Sequence, residues 1–148
     1  MNNELRSIDK LLEFKEEQFN QSQAQFKRAM EYFETVGNQL YDLLKTKEKI
    51  EKALNDHLKS RIKAYELLNY QQQLDQLKKK ENELQMKVHQ ARMNMQDKEQ
   101  KRTEAHFEYK KLEKVKENRL IALKKRMKNL ENQQLDEVSV QQYVRVNG

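Results

Sequence analysis

Proline is absent from the 148 residues, and glycine occurs only twice. Typical chains carry roughly 5% proline and 7% glycine. With so few turn formers the chain is either long uninterrupted helix or disorder. Cysteine is absent as well. That excludes a disulfide framework and thiolate chemistry, and it suits a reducing cytosol. No run approaches the ~18 consecutive apolar residues of a membrane span. The opening stretch MNNELRSIDKLLEFKEE is charged and shows no signal-peptide core. The tripeptide Asn20-Gln21-Ser22 matches a glycosylation sequon, but without a secretion signal it carries no weight. Apolar residues make up 36% of the chain and charged residues another 36%. This is too little apolar material to fill a compact core.

Charge is present in excess and unevenly spread. The formal net charge is +6. Residues 1–56 hold 9 basic and 11 acidic side chains, and residues 57–148 hold 21 and 13. One block, KKLEKVKENRLIALKKRMK at 110–128, carries 9 basic and 2 acidic residues. It reads either as a solvated helix face or as an electrostatic docking surface for an acidic partner.

The apolar residues are few but ordered. Phe19, Phe26 and Phe33 fall seven apart, and the register extends both ways. Positions 5, 12, 19, 26, 33, 40, 47 and 54 read Leu, Leu, Phe, Phe, Phe, Leu, Lys, Leu. Positions 8, 15, 22, 29, 36, 43 and 50 read Ile, Lys, Ser, Ala, Val, Leu, Ile. A three–four repeat sustained this long is a coiled-coil seam that must pack on another helix. A second seam, one residue out of step, runs through Leu67, Tyr70, Leu74, Leu77, Leu84, Val88, Ala91 and Met95. Lys98 and Arg102 interrupt it, and Ala105, Tyr109 and Leu112 resume it. The break lies at HLKSRIKA (57–64), where Ser60 is a possible N-cap.

Folding the chain back at that break puts the two seams together. Pairs whose numbers add to 124, centred on Ile62, set Phe19 against Ala105, Phe33 against Ala91, Val36 against Val88 and Leu40 against Leu84. Large residues then meet small ones where Phe occurs. Lys98 lies along Phe26 and snorkels its ammonium outward. Three polar seam positions remain, with Glu81 facing Leu43, Lys47 facing Leu77 and Arg102 facing Ser22. They read as register-fixing or edge-exposed charges. Gly37, beside the seam, marks a bend or a close contact. The fold expected is all-α, a long two-stranded antiparallel coiled-coil hairpin in a single domain. Helix 1 spans about 3–58, the turn about 59–64, helix 2 about 65–134 and a C-terminal tail 135–148. At ~1.5 Å per residue its rod measures roughly 85–100 Å. The competing architecture is one continuous helix in a parallel dimer, because no Gly or Pro marks the turn.

Catalytic chemistry finds no foothold. His57, His89 and His106 have no partner at ligand spacing. Two glycines cannot make a phosphate-binding loop. A two-helix rod offers no concave substrate pocket. No enzymatic activity, cofactor or metal is expected, and the chain is read as one that works by binding.

Several stretches carry a resemblance when taken together. They are KLLEFKE (10–16), NYQQ (69–72) just past the turn, the basic second helix, and LDEVSVQQY (135–143). The chain resembles the FliJ family, the small coiled-coil component of the bacterial flagellar type III export apparatus. The resemblance implies a role in flagellum biogenesis, type III secretion and chemotaxis. It implies a cytoplasmic protein beside the hexameric export ATPase at the inner face of the cell membrane, similar to the gamma-subunit coiled coil of rotary ATPases. It implies contact with the ATPase ring and with the cytoplasmic part of the export gate, and an escort role for export chaperones in some members. The membrane is then met only through those partners, and no specific nucleic acid is implied. Carried onto this chain, the gate surface comprises Gln39, Leu43, Tyr70, Gln71, Gln72 and Leu77. Thr46 and Lys80 depart from some relatives, and the turn lacks the glycine some carry. Leu43, Tyr70 and Leu77 are also seam positions, so packing alone accounts for them, whereas Gln39, Gln71 and Gln72 are not explained that way.

The seam steps by four after Leu112, through Lys116 to Leu120, and such a stutter alters the supercoil locally. Beyond it, Leu123, Met127 and Leu130 with Lys124, Lys125 and Arg126 form an apolar stripe with a basic border. The resemblance points this open end at the ATPase ring. Two rival readings remain. One is a polyanion or nucleic-acid binder acting through 110–128, nonspecific and salt-dependent because only Tyr109 lies beside the block. The other is a prefoldin-like chaperone, whose β-hairpin insertion needs turn chemistry missing here.

Overall fold

Nothing between Asn2 and Leu58 interrupts a helix except Gly37, and nothing between Ala64 and Asn147 is glycine or proline. The computed structural model describes residues 2–147 and forms two long helices packed on each other. They are α1 (Asn2–Leu58, 57 residues) and α2 (Ala64–Asn147, 84 residues). There is no strand among the described residues. The hairpin expected from the two seams is therefore the fold.

The connection is tight. Ser60 donates from its backbone N–H and from its Oγ to the carbonyl of His57, each at 3.2 Å. Ser60 therefore closes α1 rather than capping α2. The reason is distance along the chain. An N-cap oxygen must reach the second or third amide of its helix, and α2 begins only at Ala64. There the Lys63 carbonyl accepts from the Glu66 and Leu67 amides at 3.1 Å, which starts the helical ladder.

Packing divides the chain into two compact units. The first to be described is Asn20–Glu104. Its buried residues are Ala29, Val36 and Ala91, at 6%, 2% and 3% exposure. Around them Phe26, Phe33, Leu40, Leu43, Ile50 and Leu54 of α1 are half-buried, as are Leu67, Tyr70, Leu74, Leu77, Leu84, Val88 and Met95 of α2. These are the seam positions read from the three–four spacing. The strands of contact run oppositely: Tyr70 meets His57, Glu81 meets Lys47, Arg92 meets Phe33 and Arg102 meets Phe26. Rising numbers on one helix meet falling numbers on the other, so the pairing is antiparallel.

The polar seam residues behave differently from their expected placements. Lys47 and Glu81 do not face leucines but pair with each other at 3.0 Å. They sit in adjacent layers, and their long side chains lean along the seam to meet. The cation over the Phe26 face is the Arg102 guanidinium, 4.6 Å from the ring centre. Arg92 covers Phe33 in the same way at 5.5 Å. Guanidinium planes stack on aromatic faces more readily than a hydrated ammonium does. That explains why Arg102, rather than Lys98, occupies the ring. Gly37 marks neither a bend demanding a left-handed backbone nor a close approach. Its φ is not positive, and an added Cβ would meet nothing within 4 Å.

The other unit is Met1–Phe19 with Ala105–Gly148. Ile8 is its buried residue at 7% exposure. Leu5, Leu12, Lys15 and Phe19 are half-buried, facing Ala105, Tyr109, Leu112, Lys116 and Leu123. Phe19 lies with its ring centre 5.0 Å from that of His106. Asp9 pairs with Lys116, and Glu4 with Arg119. These contacts are again antiparallel. The expected C-terminal tail is not a separate feature, because α2 runs on to Asn147. Val138, Val140, Val144 and Val146 weaken a helix by less than about 0.7 kcal/mol each and do not stop it. From residue 124 onward every described side chain is exposed.

Three tests follow from this packing. Ala91→Phe sets a second ring at the Phe33 level, and such overpacking costs about 1–3 kcal/mol. Its melting temperature falls, while Gln90→Phe, on the exposed face, leaves melting nearly unchanged. Gly37→Ala raises stability by about 0.5–1 kcal/mol in denaturant titration, since the space is open and glycine is a poor helix residue. The third test is alkaline. The Glu81 hydrogen bond holds the Lys47 ammonium above its usual 10.5, against partial burial and aided by the charges of Glu81 and Glu51. Tyr109 is likewise raised above 10.0, first by hydrogen bonding to Glu113 and then by burial. Both folded-state values are raised. The stability they contribute is therefore complete below the ordinary values and is lost as pH climbs through the raised ones. Thermal melting holds level up to about pH 10 and drops above it. The drop is smaller in the Lys47→Met, Glu81→Leu double variant.

Candidate partner-binding surfaces

Sequence reasoning singled out two sets of residues, and each falls within one unit. The first set comprises Gln39, Leu43, Tyr70, Gln71, Gln72 and Leu77 in the unit Asn20–Glu104. Leu43, Tyr70 and Leu77 are half-buried in the seam, whereas Gln39, Gln71 and Gln72 are exposed. Tyr70 meets His57, and Arg92 meets Phe33. That puts Gln71 and Gln72 near the level of Leu54, roughly 20 Å along the helices from Gln39 at 1.5 Å per residue. Gln71 and Gln72 form one local polar patch beside the turn. Gln39 is not part of that patch.

Tyr70 has a neighbour that sequence reading missed. Its hydroxyl lies 3.3 Å from His57 Nδ1, while His57 Nε2 lies 3.0 Å from the Glu66 carboxylate. The rings of His57 and Tyr70 meet edge to face, centres 5.9 Å apart. Both imidazole nitrogens are thus engaged, and this clasp ties the last turn of α1 to the first turns of α2. The signal was available, because position 57 continues the 43–50 register by seven. The Gln71–Gln72 patch therefore stands on a fixed support.

The second set comprises Leu123, Lys124, Lys125, Arg126, Met127 and Leu130 in the other unit. Leu123 and Arg126 line a shallow groove with Glu4, Leu5, Arg119 and Ala122. Leu123 is accordingly half-buried. The pairing with α1 therefore reaches as far as Leu123. Met127 and Leu130 are 58% and 57% exposed. Lys124, Lys125 and Arg126 make no ion pair among the described residues. Apolar area bordered by uncompensated cations suits an acidic protein surface.

Groups able to hold a metal ion are not found among the described residues. No described helix is long and apolar enough to cross a membrane.

Comparison with known proteins agrees along nearly the whole chain. Residues 4–148 match the family model described as Flagellar FliJ protein. A relative named Flagellar FliJ protein, from Bacillus subtilis (strain 168), is 31% identical over 137 residues, covering 93% of each chain. No solved structure matches. The chain belongs to the FliJ family of flagellar proteins.

Proposed function

We propose that this chain is a non-enzymatic component of the flagellar type III export apparatus. In this role it links the export ATPase ring to the cytoplasmic domain of the export gate and couples ATP hydrolysis to export. It works on the cytoplasmic side, at the inner face of the cell membrane, and escort of export chaperones is compatible with the same surfaces. Family membership supports the setting. The observation that carries the division of labour is the contrast between the two ends of α2. The described residues after Arg126 are exposed, carry Met127 and Leu130, and follow three cations that make no ion pair among the described residues. This is a surface for the acidic rim of a ring. The patch at Gln71 and Gln72, stiffened by the His57 clasp, offers long amide side chains for directional hydrogen bonds to the gate.

One experiment with two arms tests this. Charge reversal at Lys124, Lys125 and Arg126 slows association with the purified export ATPase, most strongly at low salt. Gln71→Ala with Gln72→Ala weakens calorimetric binding to the gate domain and leaves helicity unchanged. Normal ATPase association by the first variant, or normal gate affinity by the second, removes the corresponding assignment.

A further inference from the structure

The far side of α2 from α1 carries a second pattern, which shares only Lys125 with the partner surfaces. Phe107, Lys111, Lys114, Asn118, Ile121, Lys125 and Lys128 recur at alternating spacings of four and three. At 100° per residue they form one straight stripe, opposite the seam residues Tyr109, Leu112 and Lys116, and about 32 Å long. Every member is exposed. Phe107 is 64% exposed and Ile121 is 57% exposed. No acidic residue lies on the stripe, although Glu108, Glu113 and Glu117 border it. Lys111, Lys114, Lys125 and Lys128 make no ion pair among the described residues. The neighbouring acids are turned to other partners where they bond at all: Glu113 takes Lys110 at 3.3 Å.

A merely solvated face has no reason to hold a phenylalanine and an isoleucine among like charges. Lys111 with Lys114, and Lys125 with Lys128, are like-charged neighbours three apart, an unfavourable arrangement that an anionic surface would relieve. We infer that this stripe binds the surface of an anionic phospholipid bilayer, with α2 lying parallel to it. The lysines meet lipid phosphates, and Phe107 and Ile121 enter the interfacial region. The chemistry favours lipid over nucleic acid. The stripe's cations are all lysine, and it lacks the arginine forks that grip nucleic-acid phosphate and base edges. Ile121 cannot stack on a base, and one aromatic is too few for a stacking platform. The seam is on the opposite side, and of the stripe only Lys111 borders a groove that Leu11 and Lys15 of α1 also line. This departs from the expectation that the chain meets the membrane only through its partners, and it goes beyond the proposed export role.

The test is vesicle co-sedimentation of the full chain. The vesicles are phosphatidylcholine, with and without about one quarter phosphatidylglycerol. The expected result is binding to the anionic vesicles alone, lost at high salt. Each lysine contributes about fivefold, so Lys111→Gln, Lys114→Gln and Lys128→Gln together weaken partitioning about 100-fold. Lys125 is left intact because it also belongs to the ATPase surface. The matched change Lys78→Gln, Lys79→Gln and Lys87→Gln, in the other unit, has little effect. Phe107→Ser with Ile121→Ser weakens vesicle binding while leaving binding to poly-uridylate unchanged. The inference is overturned if anionic vesicles do not bind, or if the two lysine triples weaken binding equally. It is also overturned if Phe107 and Ile121 prove irrelevant to vesicles while the stripe lysines govern binding to poly-uridylate.

Discussion

Everything in this fold depends on one narrow seam. The chain holds equal shares of apolar and charged residues, so it cannot bury a three-dimensional core. Each helix instead gathers its apolar side chains into a single stripe, and a stripe leaves water only against another stripe. The second stripe is supplied by the same chain. That gives an antiparallel pair joined by residues 59–63. Among the described residues Ile8, Ala29, Val36 and Ala91 are the buried apolar ones, and two of them are alanines. Small residues let the helices approach, and the phenylalanines beside them supply the apolar area.

A seam this thin specifies register weakly if it is built of interchangeable leucines. The polar members supply the discrimination. Lys47 and Glu81 meet only in one alignment, and so do His57, Glu66 and Tyr70. Exposed pairs such as Lys101 with Asp97 contribute little, in the range of about 0–1 kcal/mol. The seam pairs matter less for their energy than for the alternatives they exclude, since a shifted register leaves a lysine or carboxylate against leucine. The outer faces are freed for binding because the seam does all the packing. Three of them differ in chemistry: amides near the turn, an apolar and cationic end on α2, and the lysine stripe with Phe107 and Ile121.

The seam was legible in the sequence because its spacing is a direct image of helix geometry. The seam positions from Leu5 to Leu54 and from Leu67 to Leu112, lysines included, are all half-buried or buried, and Gly37 and Leu44 beside them are half-buried too. The pairing was legible to within a residue or so. Phe33 meets Arg92 beside its expected partner Ala91, and Phe19 meets His106 beside Ala105. What was not legible depends on side-chain reach. Spacing assigns a layer, but not the direction in which Lys47 or Arg102 leans along the seam. His57 went unread because its two partners lie across a turn whose geometry the sequence does not state. The end of α2 was placed too early, because valines lower helix propensity without breaking a helix that has already nucleated. Of the candidate surfaces, the exposure of Gln71, Gln72, Met127 and Leu130 was legible. The separation of Gln39 from the Gln71–Gln72 patch, and the packing of Leu123 against the start of α1, depend on how the two helices align, which spacing within either helix does not state.

The central claim is that each seam finds its partner within its own chain, in an antiparallel alignment. The absence of cysteine allows a direct measurement by placing Val36→Cys and Val88→Cys in one chain and cross-linking with a short bis-thiol reagent. The account predicts rapid closure within single chains at high dilution, with no covalent dimer. It also predicts that the mismatched pair Val36→Cys with Arg102→Cys stays open. Covalent dimers from the Val36–Val88 chain, or equal closure of the mismatched pair, would contradict it.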